Sequence, residues 1–91
     1  IRNSTNSIKV FEVYPNPTNG ILIIKGSGIE NGIYKLVLRN VIGQILFTDE
    51  INATNSDIEK TISISTLAND IYFLSIENTN DVMVKKILKK E

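Results

Sequence analysis

Few residues in this 91-residue chain are of the types that carry out enzyme chemistry. The chain contains neither cysteine nor histidine, which excludes a disulfide framework, a thiolate nucleophile, a His/Cys zinc site and catalysis by a histidine base. The adjacent carboxylates Asp49 and Glu50 could be offered as an acid and a base. Because neighbouring residues on a strand point to opposite faces, these two side chains cannot converge on one bond. We therefore expect the chain not to be an enzyme.

Two short motifs could in principle bind an ion or a phosphate. Asn78, Asn80 and Asp81 resemble a fragment of a calcium loop, but such sites need several converging carboxylates, and a tight turn between strands accounts for the same residues. The Gly26-Ser27-Gly28 segment is not followed by a helix whose N-terminus could hold a phosphate. The favoured interpretation of both motifs is a turn or loop, so we expect no metal ion and no cofactor.

A group of lysines near the end of the chain is the one concentration of charge. Lys85, Lys86, Lys89 and Lys90 stand out because 10 basic and 10 acidic residues leave the chain with no net charge. Lysines on a terminal strand commonly protect a free sheet edge from pairing with another chain. The same charges could steer an acidic partner, and both interpretations stay open. Without a wider basic surface, we expect no binding to nucleic acid.

The elements that position these residues are predicted to be short β-strands. Ile, Val and Thr make up 29 of the 91 residues, and their β-branched side chains suit a pleated sheet. Eleven asparagines gather with glycine and serine in the gaps, where turns need them. Alternation predicts seven strands at residues 9–14, 21–25, 33–40, 44–51, 59–65, 71–78 and 82–90. This pattern predicts an all-β sandwich domain over residues 9–91, preceded by a linker at residues 1–8.

Two local features of these strands are specific enough to check. Asn40-Val41-Ile42-Gly43 is typical of a type I turn that is closed by a glycine with positive φ. The adjacent apolar residues Ile87 and Leu88 break the alternation of the last strand and predict a bulge or a register shift there. The longest apolar run, residues 21–24, is too short to span a bilayer, so we expect no membrane insertion.

A sugar-binding site would depend on which aromatic rings are exposed. Small β-sandwiches can bind glycans by stacking exposed rings on the sugar, but this chain has no tryptophan. Alternation places Tyr34, Phe47 and Tyr72 in the core and leaves Tyr14, next to Pro15, as the one ring expected to be exposed. A non-catalytic carbohydrate-binding or adhesive module is therefore the alternative function.

Four motifs, in this order, resemble those of the type A C-terminal sorting domain of type IX (Por) secretion cargo from Bacteroidota. They are VYPNPTNG at residues 13–20, NVIG at 40–43, LANDIYF at 67–73 and VKKILK at 84–89. The resemblance covers residues 10–91. It implies a seven-stranded, antiparallel, Ig-like β-sandwich that carries no catalytic site.

The resemblance also implies what the domain does. It would act as a secretion signal that directs an upstream cargo domain of the same polypeptide from the periplasm through the outer-membrane translocon. A sortase-like cysteine peptidase would then cut the chain within residues 1–7, and the cargo would be attached to the cell surface or released. The translocon and this peptidase are the implied partners.

Carried over residue by residue, the resemblance places recognition in the PNP turn, the NVIG turn, the LANDIY segment and the terminal strand. The implied recognition residues are Pro15, Asn16, Pro17, Gly20, Gly43, Leu67, Asp70, Ile71, Tyr72, Lys85, Lys86, Lys89 and Lys90. Asp70 occupies the position where this family usually has a glycine. We expect Asp70 to adopt a left-handed conformation at some cost in strain.

Overall fold

A computed structural model describes residues 10–79 and 81–91, and every regular element within them is a β-strand. The predicted linker and the region of the implied cleavage site lie outside the described residues, as does Asn80. The strands are β1 (Val10–Tyr14), β2 (Ile21–Ser27), β3 (Gly32–Arg39), β4 (Ile45–Ala53), β5 (Asp57–Ser63), β6 (Asp70–Glu77) and β7 (Val82–Lys89). Each corresponds to one of the seven predicted strands, with shifts of one to two residues at most ends.

The strands form two antiparallel sheets that pack face to face. The smaller sheet has the order β1-β2-β5, and the larger has the order β4-β3-β6-β7. The expected antiparallel Ig-like sandwich is therefore confirmed. β1 lies at an edge, and β2, whose sequence is the most continuously apolar, lies in the middle of its sheet.

The core between the sheets follows from strict alternation along the central strands. In β3, Tyr34, Leu36 and Leu38 face inward, and Leu74 and Ile76 of β6 lie opposite Leu38 and Leu36. Burying one such aliphatic side chain stabilises the fold by about 1.5–3 kcal/mol. The buried apolar cluster consists of Phe11, Leu22, Ile24, Ile29, Tyr34, Leu36, Leu38, Ile51, Ala53, Ile58, Ile62, Ile64, Tyr72, Leu74, Ile76 and Ile87.

Two buried tyrosines tie loops to this core. The hydroxyl of Tyr34 donates a hydrogen bond to the carbonyl of Glu30 at 2.8 Å, and that of Tyr72 donates to the carbonyl of Ala68 at 2.6 Å. Each bond reaches four residues back along the chain and satisfies a polar group that burial would otherwise leave unpaired. The predicted core positions of both tyrosines are confirmed.

The structure corrects two predictions, one about burial and one about strand register. Phe47 is predicted to be core and faces inward opposite Leu38, but it is 37% exposed on the edge strand β4. The predicted bulge in the last strand is also wrong, since β7 pairs with β6 in one unbroken register. Leu88 points to the outer face instead, while Ile87 is buried. The bulge lies between β3 and β4, where Leu38 and Arg39 pair with Phe47 and Ile45.

Candidate recognition surface

The strand directions bring three of the four motifs, and the C-terminal end of the fourth, to one end of the sandwich, which we call the motif end. Because neighbouring strands are antiparallel, the connection after β1, the hairpin turn after β3, the segment before β6 and the residues after β7 all lie there. These segments are residues 15–20, 40–44, 64–69 and 90–91. The connections at residues 28–31 and 54–56, together with residues 78, 79 and 81, lie at the opposite end.

The PNP segment covers the C-terminal half of the free edge of the terminal strand. The side-chain amide of Asn16 donates from Nδ2 to the carbonyl of Lys86 at 2.8 Å, and its Oδ1 accepts from the backbone N–H of Leu88 at 2.9 Å. One side chain thus makes the pair of bonds that a residue of a neighbouring strand would make. Two motifs that are 70 residues apart in the sequence are in direct contact.

Thr18 continues this contact with its backbone. Its N–H donates to the carbonyl of Leu88, and its carbonyl accepts from the N–H of Lys90, both at 2.9 Å, which forms a parallel bridge beside Lys89. The Thr18 hydroxyl is used locally, donating to the Ile21 carbonyl at 2.6 Å. The chain therefore leaves the smaller sheet after β1 and joins the edge of the larger sheet at Thr18.

Gly20 is required by a close approach of two backbones. Its φ is +142°, and a Cβ there would lie 3.0 Å from both Cα and Cβ of Ser65. The Gly20 carbonyl accepts from the N–H of Ile64 at 2.7 Å. A side chain at Gly20 would therefore push the connection at residues 15–20 away from the segment at residues 64–69.

The NVIG turn has the predicted form. The N–H of Gly43 donates to the Asn40 carbonyl at 3.0 Å, and Gly43 has φ +89°. The Asn40 side chain braces the turn, since Oδ1 accepts from the N–H groups of Ile42 and Gln44 at 3.1 and 2.9 Å. Val41 and Ile42 at the tip are exposed. The turn is thus a rigid, uncharged projection at the motif end.

The LANDIY segment is bound to the core at both ends. Leu67 packs against the core cluster, and Tyr72 is buried within it. Asp70 is the first residue of β6 and pairs with Lys89, and its carboxylate accepts from the N–H of Ile71 at 2.7 Å. The expected left-handed conformation at Asp70 is wrong, because the non-glycine residues with positive φ in the described chain are Asn55 and Ser56. Asp70 starts an extended strand, so replacing the glycine costs no backbone strain.

The four terminal lysines divide into two pairs. Lys86 and Lys90 point outward and are exposed, whereas Lys85 and Lys89 lie on the inner face. Lys89 is only 2% exposed, and its Nζ lies 2.8 Å from Oε2 of Glu91 and 3.4 Å from Oδ1 of Asn69. A lysine is rarely buried unless it is paired. Edge protection by four exposed charges is therefore wrong for Lys89.

Lys85 is half-buried at the seam between the two sheets. Its ammonium lies 5.9 Å from the centroid of the Phe11 ring on β1, which is within the range of a cation–π contact. The side chain thus links the terminal strand to the first strand.

The two adjacent carboxylates are separated as expected. Asp49 faces inward and forms an ion pair with Lys60 at 2.8 Å, while Glu50 lies on the opposite face of β4. The hydrogen bond from Lys60, followed by the one from the Glu50 N–H, holds the pKa of Asp49 below its ordinary value. Asp49 is therefore ionised at neutral pH and serves as a structural charge.

Within residues 10–79 and 81–91, no three or more acidic side chains come together in a way that could hold a metal ion. The same residues contain no helix of the length and apolar character needed to cross a membrane. Backbone edges, turn shapes and exposed side chains are what the motif end presents to a partner.

Reasoning from the sequence missed Thr18, Asn69 and Glu91, which hold the terminal strand in place. It named Asn16 but did not foresee that its amide pairs with a strand. An asparagine between two prolines indicates a turn, but nothing nearby in the sequence indicates a partner 70 residues away. These contacts become visible only when β7 is placed beside the PNP segment.

Comparisons with known proteins bear on both the fold and the motifs. A family model described as a secretion system C-terminal sorting domain matches residues 12–90. The crystal structure of trypsin-activated alpha-2-macroglobulin from Escherichia coli is similar over 96% of this chain and 7% of that chain, with a TM-score of 0.68 and 16% sequence identity. At that identity the similarity concerns the fold alone. No curated protein matches the sequence.

Proposed function

Because this chain belongs to the family of C-terminal sorting domains of type IX secretion, we propose that it carries an upstream cargo domain through the outer-membrane translocon. The observation that supports this most is the gathering of three family motifs, and of the C-terminal residues of the fourth, at one end of the sandwich. A secretion machine that bound this end would contact them together.

The position of β1 is consistent with this role. Val10, the first described residue, pairs with Ser27 at the end opposite the motif end. A chain that leads into β1 therefore enters about the full length of a strand away from the motifs. A folded cargo attached there leaves the motif end accessible.

The contacts of β7 make recognition depend on the presence of this strand. Asn16 and Thr18 form their bonds with residues 86–90, so the PNP segment has its folded arrangement only when β7 is in place. A machine that recognises the motif end would therefore select domains in which β7 has been synthesised and is in place.

After translocation, a sortase-like cysteine peptidase removes the domain by cutting within residues 1–7. The cargo is then attached to the outer-membrane surface or released, and the domain itself performs no catalysis. In this scheme the recognition residues fall into two groups. Pro15, Asn16, Pro17, Gly43, Asp70, Lys86 and Lys90 are exposed or lie at the rim and contact the machine, whereas Gly20, Leu67, Ile71, Tyr72, Lys85 and Lys89 hold that surface in shape.

The alternative, a carbohydrate-binding module, is less well supported. Tyr14 is exposed as expected, and Phe47 is exposed as well. The two rings lie on different sheets, so they do not form a joint platform on which a sugar could stack.

An export assay tests the proposal directly. Residues 1–91 are fused to the C-terminus of a periplasmic reporter in a Bacteroidota host, and the extracellular and periplasmic fractions are compared. We expect export of the fusion and retention of a matched fusion that lacks residues 85–91. A full-length fusion that stays in the periplasm would overturn the proposal, and a change in melting temperature on adding polysaccharides would support the alternative.

A further inference from the structure

Half of the free edge of β7 is not covered by the PNP segment. The groups that Asn16 and Thr18 bind are the Lys86 carbonyl, both backbone groups of Leu88 and the Lys90 N–H. All of these belong to even-numbered residues, and β7 has no bulge. Because alternate residues of a strand direct their backbone groups to the same side, the even residues before Lys86 also face away from β6.

We call this uncovered stretch, residues 82–86, the open half-edge. It presents the carbonyl of Val82, both backbone groups of Val84 and the N–H of Lys86, none of which has a hydrogen-bonding partner in residues 10–79 and 81–91. The N–H of Val82 is the exception, since it donates to Oδ1 of Asp81 at 3.0 Å. The spacing of these donors and acceptors along the edge matches that of the backbone groups of an added β-strand.

The other edge of the larger sheet, formed by β4, differs in having an inward-pointing ion pair beside it and one outward N–H that is already bonded. The N–H and carbonyl of Thr54 both bond to Asp57, which shows that the even residues of β4 face away from β3. The N–H of Glu50 is one of these outward groups, and it donates to Oδ1 of Asp49 at 2.8 Å. Lys60 in turn holds Asp49 through an ion pair of 2.8 Å. An inward-pointing charge of this kind is a known way to block edge pairing.

The side chains along the open half-edge define the chemistry of what it could bind. Val82 and Val84 are 55% and 56% exposed on the outer face, where folding alone would favour polar residues. Lys85 and Lys86 follow directly, one on each face. A strand that fits here would place an apolar side chain beside Val84 and an acidic side chain beside the exposed Lys86.

We propose that the open half-edge binds an extended strand of a partner protein by β-strand addition, as a fifth strand of the larger sheet. The partner strand lies in line with Thr18, which already pairs with the other half of the same edge. This inference rests on the proposed function, because it takes the partner to be a component of the secretion machine. It identifies that component as one that presents an apolar and acidic extended segment.

A proline at Val84 tests this directly. Proline has no N–H and is tolerated at edge positions whose N–H faces solvent, so Val84→Pro removes the central donor of the open half-edge. Thr48→Pro is the matched control, since Thr48 is an outward-facing position on the β4 edge. We expect both variants to keep a melting temperature within a few degrees of the wild type, as measured by circular dichroism. The reporter fusion with Val84→Pro should lose at least tenfold in export, and that with Thr48→Pro should be exported normally.

A second pair of variants keeps the test valid if proline disturbs the strand. Val84→Lys retains the backbone N–H but places a third adjacent cation where an apolar contact is expected. Its control is Ile45→Lys on β4, because Ile45 is 55% exposed. We expect export to fall for Val84→Lys alone.

The outcomes separate this inference from the proposed function. Normal export of folded Val84→Pro or Val84→Lys would overturn strand addition and leave the proposed function intact. Loss of export with Ile45→Lys as well would place the partner on the outer face of the sheet and would also overturn it. Failure of the wild-type fusion to be exported would overturn the proposed function itself.

Discussion

The two ends of the sandwich are held together in different ways. At the motif end, Asn16 and Thr18 bond to residues 70 positions or more along the chain. At the opposite end the bonds join segments that are closer in the sequence: Thr54 bonds to Asp57, the N–H of Asn78 bonds to the carbonyl of Asp81 at 3.0 Å, and the N–H of Ile29 bonds to the carbonyl of Ser56 at 3.2 Å. The end that carries most of the family motifs is therefore the one that joins the first and last strands of the domain, whereas the opposite end joins segments of intermediate separation.

Of all the changes that test this comparison, deleting residues 85–91 should destabilise the domain most. The deletion removes most of β7 with the buried Ile87, exposes the edge of β6 and leaves Asn16 and Thr18 without their partners. We expect the isolated domain to lose its cooperative thermal transition, as seen by calorimetry. A truncated domain that still melted cooperatively would show that the motif end does not depend on the complete chain.

Two glycines with the same φ of +142° compare the ends directly. A Cβ on Gly20 would meet the Ser65 backbone at 3.0 Å, whereas a Cβ on Gly32 at the opposite end has no atom within 4 Å. Both alanine substitutions cost backbone strain of about 1–3 kcal/mol, and Gly20→Ala adds an overpacking cost of about 1–3 kcal/mol. Urea denaturation should therefore show Gly20→Ala to be the less stable variant, and equal losses would contradict the close approach at Gly20.

Substitutions of the buried and of the exposed terminal lysines should differ in their effect on the free energy of unfolding. Lys89→Ala removes a buried side chain and its bonds to Asn69 and Glu91, so we expect a loss of about 1–3 kcal/mol in the free energy of unfolding. The double variant Lys86→Gln/Lys90→Gln alters exposed charges and should change the free energy of unfolding by less than about 0.5 kcal/mol. If the double variant were also exported less well, the exposed lysines would be recognition residues. A Lys89→Ala domain as stable as the wild type would contradict the structural role of Lys89.

Two asparagines test whether the bonds that span 70 residues or more matter more than a bond that spans 25 residues. Asn16→Ala removes two hydrogen bonds to β7, which corresponds to about 1–2 kcal/mol. Asn31→Ala, at the opposite end, removes one bond in which Oδ1 accepts from the Ser56 N–H at 2.9 Å, worth about 0.5–1 kcal/mol. Chemical denaturation of both variants gives the comparison, and a larger loss for Asn31→Ala would reverse it.

The smallest expected effect lies between the ends, at the Asp49–Lys60 ion pair. Since the folded state lowers the pKa of Asp49, the ionised carboxylate stabilises the fold at pH values above its ordinary pKa of 3.8. This contribution is lost as the pH falls from that value through the lower pKa of the folded state. Melting temperatures of the wild type and Asp49→Asn should differ slightly at pH 7 and converge below pH 3.8. A difference that grew with acidity would have the wrong sign.

The secondary structure and the local turns were accessible from the sequence because they depend on neighbouring residues. Alternation in IYKLVLRN predicts a strand whichever partners it has, and Asn40 with Gly43 specifies a turn through bonds that span four residues. The motifs themselves could be read in the same way, as short patterns in a given order.

Which residues these motifs contact was decided only by the tertiary structure. Alternation assigns Lys89 to a face of its strand, but its burial depends on Asn69 and Glu91 folding over it. Phe47 faces inward as its pattern requires, yet it is 37% exposed on the edge strand β4. The pairing of Asn16 with β7 joins residues 70 positions apart, and a pattern with a period of two residues carries no information about a contact at that distance.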